Sequence, residues 1–209
     1  MKNLVKSAWA LVQENRRAYL ILNVVYYALV IACMIYVAFD QELQQSLLNE
    51  IGAAFLTGPL SFVGQAYINT QVIAAILATF FVNLFIGSLA SITLPSLIIP
   101  FSGLLVGAYR AILWGLLLSP ASPGLRLIMI PHSITLILEG QAYILAMLTA
   151  YIQGRAFLWP KSVGLASRAR GYLEGLKRTG KLYLLIILTL AVAAIYEVIE
   201  VVILIQFLR

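Results

Sequence analysis

The sequence predicts an all-α protein: a polytopic membrane bundle of about five transmembrane helices with amphipathic interfacial helices, forming one integral membrane domain over residues 1–209. Three observations carry that prediction. First, 62% of the residues are hydrophobic and only 11% are charged, with a mean hydropathy of +0.97; a water-soluble domain of this length has too little interior to hide so much apolar surface. Second, five segments, about 18–39, 71–94, 97–118, 127–151 and 182–206, reach the roughly 20 mostly apolar residues that crossing a bilayer core requires. Third, the basic residues are clustered in two places, which assigns the sides.

The chain begins with Lys2, Lys6, Arg16 and Arg17, and then enters its first apolar run. That run exceeds the apolar core of a signal peptide and lacks a small-residue cleavage site, so it reads as a retained span. Cys33 is the single cysteine, which excludes an internal disulfide and any cysteine-based metal cluster. The 40–70 connection carries Asp40, Glu42 and Glu50 and no Lys or Arg. Within it Leu43, Leu47, Leu48, Ile51, Ala54 and Phe55 recur at helical spacing, predicting a helix on the membrane surface. Gly58 and Pro59 break it, and Pro59 is placed to open the second span.

The second span contains Asn83, Gly87 and Ala90 or Ser91, a small and polar face suited to close helix contact. It ends in "PSLIIP", residues 95–100, read either as a tight inner hairpin or as a partly buried re-entrant turn of the kind that lines transporter sites. The third span places Gly103 and Gly107 in a GxxxG pair. Arg110 follows Gly103 by seven residues, which returns a helix to nearly the same face, so the arginine points into a helix contact. In the fourth span His132, Thr135, Glu139 and Tyr143 share one stripe. The fifth carries Glu197 and Glu200 three residues apart.

Arg155, Lys161, Arg168, Arg170, Lys177, Arg178 and Lys181 lie between the fourth and fifth spans. With the four at the start they make eleven of the fourteen Lys and Arg in the chain. Five crossings place both clusters on one side only with the N-terminus inside and the C-terminus outside. After Pro160, Ser162 is placed to cap a short amphipathic helix presenting Val163, Ala166, Ala169, Tyr172, Leu173 and Leu176, with Arg168, Arg170, Lys177 and Arg178 meeting lipid headgroups. This segment reads as a topology anchor ahead of a docking site for a cytoplasmic partner, and it carries no case for nucleic acid.

Ionisable groups at membrane depth cost roughly 2.5–3.5 kcal/mol each on insertion scales, so they turn inward. The expectation is a buried polar cluster of Arg110, His132, Glu139, Glu197 and Glu200 joining the third, fourth and fifth spans, supported by Asn83, Thr135 and Tyr143. Arg110 is expected to pair with Glu197 or Glu200, and with Glu139. His132 and Glu139 are separated by about 10.5 Å of axial rise and are not expected to touch. Such a cluster either fixes helix register or forms a proton, ion or solute path. No HExxH, GxSxG, P-loop or cysteine-rich spacing is present and the one histidine stands alone, so no enzymatic chemistry, cofactor or metal is expected.

Residues 80–155 resemble the stage II sporulation protein M family of polytopic membrane proteins. Asn83 and Gly87 match its Asn-then-Gly span, Gly103 and Gly107 its NGxxxG motif, and Pro131 and His132 its Pro-His-Gly motif. Ser102 stands where the family has Asn, Ser133 where it has Gly, and Leu136 where it has Glu; Glu139 follows one turn later on the same stripe. The resemblance implies a non-enzymatic scaffold or assembly subunit of the cytoplasmic (inner) membrane, since family members in spore formers act in a membrane complex alongside cell-wall hydrolases. The expected partners are membrane lipids and a second copy or other membrane proteins, suggested by the small-residue faces, with Gly87, Gly103 and Gly107 as the helix-packing residues. The alternative is a small permease or channel that moves protons, ions or a small solute along the buried cluster.

Overall fold

The computed structural model describes residues 2–208 and is helical from end to end, with no strand among the described residues. Among the described residues eight helices of eight residues or more run in chain order: α1 Lys2–Glu14, α2 Arg16–Ala38, α3 Gln41–Leu56, α4 Ser61–Ile68, α5 Val72–Ile98, α6 Ser102–Leu117, α7 Met129–Leu158 and α8 Arg168–Leu208. Four of them, α2, α5, α7 and α8, are long and apolar enough to cross a membrane. A helix also stands at the third predicted span, but α6 has 16 residues and covers only about 24 Å at about 1.5 Å per residue. Leu20, Ile31, Ile73, Phe85 and Leu105 are among many large apolar side chains on the outer surface, as a lipid-facing wall requires.

Helix α7 is the axis of the bundle. Of its most apolar window 72% is buried, against 17–33% in α2, α5 and α8. A helix surrounded by protein meets no lipid, so it tolerates Thr135, Glu139, Gln141, Tyr143, Thr149 and Gln153 in its interior. Helix α8 packs along its length, and Tyr26, Val30, Leu84, Met147, Leu182 and Ile186 belong to the apolar core between the helices.

Close approach is set by small residues. Gly103, Gly107, Ala111 and Gly115 recur every four positions along α6 and are all buried. A Cβ at Gly103 would overlap the Ile92 carbonyl of α5, one at Gly107 the Met147 thioether of α7, and one at Gly115 the Val30 carbonyl of α2. Gly103 and Gly107 thus serve helix packing within the chain, as their spacing predicts.

Helices α5 and α6 are joined by the short turn Ile99–Phe101. Phe101 adopts φ 68, a left-handed conformation unusual for a bulky residue. Its ring packs over Gly154 and lies 6.3 Å from Tyr151 and 5.9 Å from Trp159, contacts that hold the turn. Upstream of it, residues 82–93 of α5 are wound as a π-helix, a rare form that is frequent at functional sites. Ser91 donates to the Gly87 carbonyl at 2.5 Å within this stretch, and Pro95, which has no N–H, follows it.

The 40–70 connection is helical where the spacing predicts, and Asp40 caps α3 by accepting from the Leu43 N–H at 3.0 Å. Pro59 does not open a span. It sits in a break at which α3 and α4 bend by 86°, and α4 ends at Ile68 before a turn in which Thr70 has φ 52. The pair folds on itself, with Gly64 seated on the Phe55 carbonyl. Gln44 is buried and donates to the carbonyls of Leu117 and Ser119, each at 3.0 Å, fastening α3 to the end of α6.

The basic 155–181 segment also differs from expectation. No separate amphipathic helix forms after Ser162. A short 3-10 turn, Pro160–Val163, leads into α8, which begins at Arg168 and continues unbroken. Gly171 and Gly175 allow this first part of α8 to lie against Ala156 and Gln153 of α7, so packing extends the helix beyond its apolar run. Arg168, Arg170 and Lys177 are exposed, whereas Arg178 is held by Glu174 at 3.0 Å and by Glu14 of α1 at 3.4 Å. Arg178 therefore ties α1 and α8 together.

Candidate functional site

The polar residues of the core form two layers, ordered along α7. The first lies near its start. His132 Nδ1 is 3.0 Å from Glu200 Oε1, and Thr135 donates to Glu200 Oε2 at 2.9 Å. Glu200 is buried, yet both its oxygens are partnered.

The second layer lies two turns further along α7 and is built around Asn83 of the π-wound stretch. Its Nδ2 donates to Glu139 Oε1 at 2.5 Å, and its Oδ1 accepts from the Tyr143 hydroxyl at 2.7 Å. One amide thus fixes two side chains of α7 that are one turn apart. Arg110 lies across the Tyr143 ring, its guanidinium carbon 4.1 Å from the ring centroid, a cation–π geometry. Gly87 makes room for this stack, since a Cβ there would press on the Tyr143 hydroxyl at 3.0 Å and on an Arg110 terminal nitrogen at 3.4 Å. Glu197 of α8 neighbours Glu139 and Tyr67, with its Oε2 buried and unpartnered.

The five ionisable residues therefore fall into two groups. His132 and Glu200 stand together in the first layer, and Arg110, Glu139 and Glu197 share the second. The expected ion pair of Arg110 with Glu197, Glu200 or Glu139 is not formed: no carboxylate oxygen lies within 4.0 Å of it among the described residues. Glu200 is too far along α8 and is already taken by His132 and Thr135, while the Tyr143 ring captures the guanidinium. Arg110 Nε is buried with no hydrogen-bond partner.

These residues border a cavity of about 390 Å³. Its polar side carries Asn83, Arg110, His132, Thr135, Glu139 and Glu197. Ile86, Leu113, Trp114 and Leu117 form apolar walls, and Ile51, Phe55, Leu60, Val63 and Tyr67 border it from the bent pair α3–α4 and its break. The volume falls at the low end of the roughly 300–1,000 Å³ typical of small-molecule sites. Among the described residues no three His, Cys, Asp or Glu side chains converge as a metal site would need.

Sequence reasoning missed Tyr67, which bonds Thr79 at 2.8 Å, and a polar ladder between α2 and α7. In that ladder Tyr19 donates to Gln141 at 2.5 Å, and Gln141 donates to Asn23 at 2.7 Å and to Tyr27 at 3.1 Å. Asn23 and Gln141 were readable as polar residues inside apolar runs. Tyr67 gave no signal, because its partner depends on how α4 folds back. No family model, curated protein or solved structure matches this chain.

Proposed function

We propose that this protein is a small-solute permease of the cytoplasmic membrane, with the cavity between α3–α4 and the second polar layer as its solute site. The observation that carries this reading is an arginine without an acidic partner among the described residues, facing a cavity that two glutamates also line. A cation left unpaired in low-dielectric surroundings is costly, and a purely structural cluster would have paired it. The bent pair α3–α4 and the π-wound stretch of α5 add to the case, because broken and rewound helices border sites in transporters. The clustered basic residues support an inside N-terminus, with the polar layers reached from the opposite face. No reaction is assigned to the chain.

The scaffold role implied by the resemblance to the sporulation protein M family requires no such void. Purified protein in liposomes, preloaded with solute and tested for counterflow against a panel of labelled small polar compounds, separates the two. Saturable exchange that Glu139→Gln reduces at least about tenfold is expected, as the loss of a charged hydrogen bond predicts. Exchange equal to that of empty liposomes across the panel returns the protein to the scaffold reading.

A further inference from the structure

We infer that the cavity takes a zwitterionic solute with an apolar body, a molecule of the apolar α-amino acid kind. The inference deepens the permease reading and rests on it for the site's use, but not for its chemistry. Three sets of groups face the same void. Arg110 offers a planar guanidinium with no carboxylate of the protein against it, which is the donor geometry that recognises a carboxylate. Glu139 and Glu197 line the same void as neighbours, and Glu197 Oε2 has no hydrogen-bond partner. An ammonium group supplies three donors to such a pair. Beyond the polar groups Ile86, Leu113, Trp114 and Leu117 present hydrocarbon and aromatic surface for a side chain.

Each simpler ligand leaves part of this arrangement unused. A metal cation has no use for the arginine, and an inorganic anion has none for the two acids. A long-chain acid satisfies the walls and Arg110 but offers Glu197 no donor. Only a solute carrying both charges with a compact apolar part matches all three. The volume of about 390 Å³ accommodates a molecule of that size.

The test is direct binding to the full-length protein in detergent, read by the fluorescence of Trp114, which borders the cavity 5.6 Å from the Tyr143 ring centroid. Leucine, isoamylamine and 4-methylpentanoate are titrated in parallel. They share an apolar body and differ in carrying both charges, the ammonium alone or the carboxylate alone. Leucine is expected to saturate the signal, and loss of either charged group to weaken binding at least about tenfold. Arg110→Gln is expected to abolish the preference for leucine over isoamylamine while leaving isoamylamine binding within about twofold. Equal binding of all three, or no saturable change with leucine, overturns the inference. Because the three ligands are compared on one wild-type protein, the result stands even if the variant misfolds. Leucine binding without counterflow would defeat the permease reading and keep this one; counterflow of a solute lacking either charge would do the reverse.

Discussion

At the residue scale, the arrangement turns on Asn83 and Gly87, one turn apart on α5. Gly87 vacates the space that lets Arg110 settle on Tyr143, and Asn83 orients Tyr143 and Glu139 with the two ends of a single amide. Asn83→Ala should leave both partners short of a hydrogen bond in a buried site, at a cost of about 1–3 kcal/mol each, measured by chemical unfolding in detergent. The glycines of α6 should not respond alike to alanine. Gly103 and Gly115 face main-chain carbonyls, which cannot step aside, whereas Gly107 faces the flexible end of Met147. Gly103→Ala and Gly115→Ala are expected to destabilise by about 1–3 kcal/mol and Gly107→Ala by less than either. That Arg110 faces inward was legible from its spacing to Gly103. Its partner was not, because the axial register of one helix against another is set by packing between them and leaves no trace in either one's own periodicity.

At the element scale, the α3–α4 pair forms one wall of the cavity. The helical pattern after Asp40 and the break at Gly58 and Pro59 were both readable, since capping and helix breaking are local effects. The fold-back was not, for it depends on Gly64 seating on the Phe55 carbonyl and on Gln44 reaching two carbonyls beyond the end of α6. Gln44→Leu removes both of those bonds. We expect faster amide hydrogen exchange across residues 41–68 in this variant, with exchange in α7 unchanged. Unchanged protection in 41–68 would mean that apolar contacts alone hold the pair. Helix α8 shows the same division between local and tertiary information: its apolar part was plain, but its early start at Arg168 follows from Gly171 and Gly175 fitting against α7.

At the scale of the whole molecule, the apolar runs made the helical bundle legible, because lipid imposes a length rule that acts on each segment independently; the two basic clusters predict its sidedness by the charge rule. Orientation is checked by cysteine labelling in a Cys33→Ala background. Ser167→Cys is expected to react from the side of the basic residues, and Asn69→Cys from the opposite side. The internal division of labour was beyond the sequence, since two acids three residues apart on α8 read as one feature but serve separate layers, Glu200 with His132 and Glu197 with Glu139.

Solute passage through this protein requires a water-accessible polar void behind a wall of lipid-facing side chains, and one measurement addresses it directly. In the Cys33→Ala background, the rate of modification by a charged, membrane-impermeant thiosulfonate is compared at Leu113→Cys, beside Arg110 on the cavity wall, and at Leu105→Cys, whose parent side chain is 76% exposed on the outer surface of α6. The thiolate is the reacting form and it needs water to persist. Rapid modification at position 113 with none at 105 is the predicted result; a position 113 that reacts no faster than 105 would contradict the account.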